Sequence, residues 1–383
     1  MVLDKSEESK IKSQRRSIFI IVLALTLFGL LMVYEASSIY AFKLTSDAAF
    51  FFKKQLLFFT ISLLLFFCTL LIDIDFLKKH VKELLIFTFL LLIAVICLGE
   101  KTGGAKRWLM FPGFNIQPSE VLKISFLLYC ADYCSRKKVV IRDAMSGLVP
   151  LGLVLGLVCV LLLMQPDLGA AIFLVSWSIF FLFFFKAKNK HLILIVLLGI
   201  VAAFFLIKFY PYRFRRIVAY FNPFSDPSGS GFQLIQSQIA YGAGGIWGVG
   251  LGESIQKLSF LPAAHTDFIF SIIAEEFGLW GSLTVISVFF LLFHKMFMVA
   301  KVANDNFRKG ILWGVIFIFF LEVIINIGVS CGFFPTKGLS LPFISYGGSH
   351  LVVHYILLGL FFNASRRVRS RKVELEPSKP KNK

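Results

Sequence analysis

Regular alternation of apolar and polar residues is missing from this 383-residue chain. Nowhere does it show the alternating runs of roughly ten residues that mark barrel strands, so its apolar content does not read as a β-barrel. Charge is scarce and one-sided. Asp, Glu, Lys and Arg make up 16% of the residues, and 40 basic side chains stand against 22 acidic ones. Cysteine is scarce as well. The six lie inside or at the ends of apolar runs, and Cys130 and Cys134 are four apart rather than a Cys-x-x-Cys pair, which argues against a disulfide framework or a cysteine metal site. The first apolar run lacks a small-residue cleavage site and reads as a retained helix, not a removable signal.

What is abundant is hydrophobic: 57% of the chain, including 46 Phe, a composition whose solvent is lipid rather than water. Charge-free runs occupy Ser17–Tyr34, Gln55–Ile72, Leu84–Gly99, Ala144–Pro166, Leu168–Phe185, Leu192–Ile207 and Phe277–Phe293. Each is near the roughly 20 residues that a spanning helix needs. Glu120–Cys134, Gly310–Cys331 and Ser349–Ala364 are similar but carry polar groups, making about ten spans. Backbone groups in lipid must be satisfied within the segment, so these are helices and the fold class is an all-α membrane protein.

Placing both termini in the cytoplasm puts 27 of the 40 Lys and Arg residues on that side, as positive-inside asymmetry demands. The expected organisation is a cytoplasmic tail at 1–16, a ten-helix membrane domain at 17–364 and a basic cytoplasmic tail at 365–383. Within the membrane domain one long extracytoplasmic loop, 210–266, joins helices 7 and 8. The net charge of +18 is divided among short loops beside membrane helices, so it serves topology and anionic headgroups rather than nucleic acid.

The long loop carries a glycine-rich stretch, Gly242 to Gly250, and an amphipathic stretch, Phe232–Tyr241, that predicts a short helix and an ordered loop. It ends at His265-Thr266-Asp267, where an apolar helix begins. Asp267, Ser271 and Glu275 follow at four-residue spacing, which predicts one polar face on that helix. Asp267 reads as a helix cap or, because ionisable groups at membrane depth usually face a cavity or partner, as a functional carboxylate. Glu120 and Lys123, three apart, can pair on one helix face, either to let both charges enter the membrane or for catalysis. Gln165-Pro166-Asp167 is explained by proline turn chemistry.

Cations on the outer side are exceptions to the topology rule. Arg213, Arg215 and Arg216 cluster in the long loop, Lys106 and Arg107 adjoin Trp108 in another, and Lys337 lies in the last, between Pro335 and Ser349. Guanidinium groups suit phosphate oxygens, so an anionic lipid headgroup is one reading and interfacial snorkelling the other. Trp108 fits a sugar platform or an interfacial aromatic belt.

Five motifs in order then resemble a known family. Gly104-Ala105-Lys106-Arg107-Trp108, Gln117-Pro118-Ser119-Glu120, Gln165-Pro166-Asp167-Leu168-Gly169, His265-Thr266-Asp267-Phe268-Ile269-Phe270 with Glu275-Glu276, and the Pro335 to Ser349 loop resemble the SEDS glycosyltransferases, the RodA/FtsW proteins. Gly231-Phe232-Gln233, Gln236-Ser237, Ile239-Ala240 and Ser254 to Leu258 are closer to the division-type FtsW branch. The resemblance implies a polymerase of lipid II in the bacterial inner membrane, at the division septum, with a class B penicillin-binding transpeptidase and other division proteins as partners. It also implies that Asp267 is the essential acid, with Lys106, Arg107, Trp108, Glu120, Lys123 and Lys337 around the same cavity. The chain departs from the pattern at Ala263, where Glu is usual, and at Glu35, Asn222 and His350.

The implied reaction joins the GlcNAc 4-hydroxyl of lipid II to the anomeric carbon of a glycan on undecaprenyl pyrophosphate, with inversion. The leaving pyrophosphate needs no strong general acid. One base, Asp267, with cations on the phosphates, is chemically sufficient. Arg213, Arg215, Arg216 and Lys337 are the candidates for the pyrophosphates, and Ser271 lies on the same expected face as Asp267. No cofactor is evident; a bound divalent cation is allowed for, although no ligand motif signals one. Two other classes fit a polar membrane chain, a lipid-precursor flippase or transporter and a non-catalytic scaffold for a transpeptidase. Neither an internal inverted repeat nor midplane clustering of polar motifs supports the transporter.

Overall fold

The computed structural model describes residues 5–102, 105–111, 114–136, 143–209, 211–229, 231–258, 260–303 and 305–366. Nearly all of the expected tail at 365–383, and Tyr210 at the start of the expected loop, lie outside them. The helices are α1 (Lys5–Thr45), α2 (Phe50–Leu71), α3 (Ile74–Lys79), α4 (Val81–Leu98), α5 (Pro118–Arg136), α6 (Val149–Met164), α7 (Leu168–Phe184), α8 (Asn189–Phe209), α9 (Pro211–Phe221), α10 (Phe232–Gly244), α11 (Ile269–Ala300), α12 (Asn306–Ser330) and α13 (Gly348–Ala364).

A helix stands at each of the ten positions where a span is expected. Among the described residues, seven helical stretches are long and apolar enough to cross a membrane; α7 and α13 are apolar but shorter. α5 carries Glu120 and Lys123 in its first two turns. The N-terminal segment expected as a tail is largely helical, because α1 already runs from Lys5.

Two regions differ from the expected loops. Between α4 and α5 the chain forms a small antiparallel sheet, β1 (Glu100–Thr102), β2 (Ala105–Phe111) and β3 (Phe114–Ile116), in the order β1-β2-β3. The segment 210–266 holds α9, α10 and two short 3-10 turns, Pro223–Ser225 and Gln256–Leu258. The helix expected over Phe232–Tyr241 is α10.

Packing is closest where glycine permits it. A Cβ on Gly314 of α12 would run into Leu127 of α5, and the bare Gly314 carbonyl accepts the indole N–H of Trp177 from α7 at 3.0 Å. With little hydrophobic drive between helices in lipid, such small-residue contacts and cross-helix hydrogen bonds hold them together. α8 stands apart, with Leu192 its one buried residue among those described. α11 kinks at Gly278, which takes φ 64° and ψ −157°, a conformation open to glycine alone. The carbonyls that the kink frees are used: Glu275 O accepts from Val249 N and Glu276 O from Gly250 N, both at 3.0 Å.

Candidate active site

Asp267 does not sit on the helix expected to carry it. α11 begins at Ile269 with Phe268 as its N-cap, and no side chain caps it. Asp267 lies instead in a turn organised by Ala263, whose carbonyl accepts from the N–H groups of Thr266 (3.1 Å), Asp267 (3.1 Å) and Phe268 (3.3 Å). Ala263 holds φ 58°, the left-handed region that costs an alanine roughly 1–2 kcal/mol.

Three successive carbonyls of this turn are gripped from outside. His265 O accepts from Tyr346 N at 2.9 Å, Thr266 O from the Ser345 hydroxyl at 2.5 Å, and Asp267 O from the Asn326 amide at 2.9 Å. The His265 ring packs against Phe51, with ring centroids 4.8 Å apart, and burial lowers its pKa to about 4, so it is neutral. Among the described residues no hydrogen bond fixes the Asp267 carboxylate itself.

The charges of Arg107 and Arg216 act on it, and Lys337 and Asp167 join the cluster on the Arg107 side. Arg107 of β2 donates to Pro166 O at 2.6 Å and lies 3.9 Å from Asp167, whose carboxylate caps α7 through Ala170 N at 3.1 Å. Arg216 of α9 donates to Thr336 O at 3.3 Å. Lys337 donates to Gly169 O in the first turn of α7. Burial raises the Asp267 pKa to about 6, against the opposing pull of Arg107 and Arg216. Burial also lowers Lys337 to about 7; Asp167 opposes the shift, while Lys123 and Arg107 add to it.

The other expected residues fall elsewhere. Successive strand residues face opposite ways, so Lys106 and Trp108 turn from Arg107; Lys106 reaches Ile96 O at 3.4 Å. Arg215 is exposed on α9, and Arg213 is on the same helix with its side chain outside the described part. The predicted polar face breaks up because its partners come from the long loop. Ser271 is bonded to Ser237 at 2.7 Å, and Glu275 accepts from the Ser254 hydroxyl and from Ile255 N at 3.0 Å. Asp167, explained by turn chemistry and otherwise noted only within the Gln165 to Gly169 motif, was not among the expected site residues, yet it joins the cluster through Arg107 and Lys337.

Glu120 and Lys123 pair at 2.7 Å, as their spacing predicts, within a larger buried group. Lys123 also meets Glu322 of α12 at 2.5 Å, and the other oxygen of Glu322 meets His354 Nε2 of α13 at 2.5 Å. Among the described residues Glu120, His350 and His354 form the one group of metal-type ligands close enough to share an ion. The Lys123 ammonium already takes the place of a cation there. His354 Nδ1 faces His350 O at 2.6 Å, leaving it no free lone pair without rearrangement.

The model of the cell cycle protein family that groups FtsW, RodA and SpoVE matches residues 15–370. The chain belongs to that family. It is 42% identical over 353 residues to a probable peptidoglycan glycosyltransferase FtsW of Trichlorobacter lovleyi, covering 91% of this chain and 92% of the relative. To one so named from Escherichia coli it is 39% identical over 363 residues, covering 94% and 87%. Its fold matches a chain in a solved structure described as showing coordination of polymerization and crosslinking by a peptidoglycan synthase complex, with TM-score 0.73, 28% identity and coverage of 91% and 96%. RodA of Thermus thermophilus shares the fold at TM-score 0.66 and 24% identity, covering 91% and 96%.

The chain is thus an FtsW-type SEDS protein, and its departures from the pattern have structural counterparts. Glu35 meets Lys257 of the long loop at 3.1 Å, and Lys257 in turn meets Glu276 of α11 at 2.9 Å. His350 lies against His354, with ring centroids 3.9 Å apart and planes tilted by 41°, its own Nε2 buried without a partner among the described residues. Nothing in the structure explains Asn222 in place of the more common Asp.

Proposed function

We propose that this membrane protein is a peptidoglycan glycosyltransferase that polymerises lipid II at the division septum, with Asp267 as general base and with a class B transpeptidase as its partner. The observation that carries the mechanism is a half-buried carboxylate with no hydrogen bond of its own among the described residues, acted on by Arg107 and Arg216, with Lys337 beyond Arg107 in the same cluster. A base must be free to take a proton, and the pyrophosphates of donor and acceptor need cations near it. A largely apolar cavity of about 580 Å³ lies between α2, α5 and α13 under β3, lined by Phe58, Ile116 and Val353 among others, and offers room for hydrocarbon. Purified protein incubated with lipid II makes glycan strands on this reading; translocation without polymer would mean a flippase, and neither outcome would mean a scaffold.

The pH profile follows from the two shifted groups. Asp267 works only when deprotonated, so turnover falls as pH drops through about 6. Lys337 binds phosphate only when protonated, so binding weakens as pH rises through about 7. A bell with its summit between these values is expected when initial rates are measured with lipid II, and a flat profile from pH 5 to 8 would remove Asp267 from the reaction.

Gly338 tests the setting of that carboxylate. A Cβ there would stand 2.8 Å from Asp267 Oδ2, while the backbone at Gly338 is open to any residue. Gly338→Ala turns the carboxylate aside without straining the fold. Since small misplacements of a reacting group cost up to about 100-fold, turnover should fall at least about tenfold at unchanged melting temperature.

A further inference from the structure

We infer that Asn326 of α12 is a positioning residue for Asp267, acting through the backbone of the turn that carries it. The inference rests on Asp267 being the base. Asn326 is 1% exposed, and its amide donates to two carbonyls at once, Asp267 O at 2.9 Å and Leu339 O at 2.6 Å. It therefore ties the turn bearing the carboxylate to the loop bearing Lys337 and Gly338.

The carboxylate has no hydrogen bond of its own among the described residues, so its direction is set by its backbone. Of the three gripped carbonyls in the turn, those of His265 and Thr266 are held by Tyr346 and Ser345 from the last loop. Only the third, on Asp267 itself, is held by a side chain of a membrane helix. Glu322, one turn earlier on α12, is fixed by Lys123 and His354, so the post from which Asn326 reaches is itself held on both sides.

Asparagine at this position is a compromise: its Oδ1 is buried without a partner among the described residues, while its N–H groups serve two carbonyls that an apolar residue would leave without a donor. What asparagine supplies and leucine lacks is the double donor.

The charges that act on Asp267 are Arg107 on β2 and Arg216 on α9; Asp167 at the start of α7 and Lys337 in the last loop are linked to Arg107, and His265 before it is neutral. With the turn released, the carboxylate leaves its partly buried position for water, which favours its charged form. The test uses full-length protein in lipid vesicles with lipid II as substrate. Asn326→Leu, nearly isosteric, leaves two carbonyls without their donor and is expected to lower the melting temperature while the protein stays folded, with KM kept within about twofold. Its kcat should fall on the order of 10- to 100-fold, with the acid limb of the pH profile moved to lower pH. Asn326→Ala provides the same reading if the leucine variant folds poorly. Unchanged kcat, or a loss confined to KM, or an acid limb that stays in place would overturn the inference. Asp267→Asn is measured alongside. If that variant polymerises normally, the base assignment fails; if it is inactive while Asn326→Leu matches the parent, only the role of Asn326 fails.

Discussion

Asp267→Asn should lower glycan polymerisation by about 10² to 10⁴-fold while leaving the protein folded, the usual worth of a general base. The substitution keeps the shape of the side chain and removes its capacity to hold a proton. Nothing in the fold depends on the lost charge, because the turn is held by its carbonyls and not by the carboxylate. Melting temperature should hold or rise, since a buried carboxylate with a pKa raised to about 6 is a group that burial disfavours when charged. Its residual activity should also lose the acid limb of the pH profile. Normal strand synthesis by the purified variant would end the assignment.

The largest effect on stability is expected at Glu322. It is completely buried and divides its two oxygens between Lys123 and His354. Glu322→Ala strips both partners and should destabilise by about 3–5 kcal/mol, the usual cost of breaking a buried pair. Glu322→Gln should lose far less. Glutamine keeps the shape of the acid: its carbonyl still accepts from Lys123, and its amide faces the His354 ring, whose tautomer can suit it. Thermal unfolding in detergent separates the two variants; equal losses from Ala and Gln would mean that the site is held by packing rather than by this network.

Much of the helical frame was legible because a run of about twenty apolar residues has one stable arrangement in lipid. α9 was harder to see. Arg213, Arg215 and Arg216 interrupt the apolar pattern, and an amphipathic helix at an interface resembles a polar loop unless its periodicity is examined. The strands β1 and β3 are three residues each, too short for alternation to show.

At the site, Glu120 and Lys123 were readable because their contact is local. Glu322 and His354 were visible only as polar residues within spans, their meeting with Lys123 being a matter of how α5, α12 and α13 pack. The partners of Ser271 and Glu275 were hidden for the same reason. Helical spacing places them on one face, but the loop residues Ser237 and Ser254 decide what that face touches. Asp267 was singled out by its type and position, and α11 starts two residues after it, beyond the turn that Ala263 organises.

The kink at Gly278 gives the long loop a mechanical character. Val249 and Gly250 bond to helix carbonyls freed there, and Leu279 N returns the bond to Gly245 O at 3.0 Å, so loop and helix are spliced into one hydrogen-bonded strip. Lys257, clamped between Glu35 and Glu276, rivets the strip to α1. A flap hinged at its ends could lift away by itself; this segment cannot. Force applied to it would reach the first turns of α11, next to the turn that carries Asp267, the proposed base.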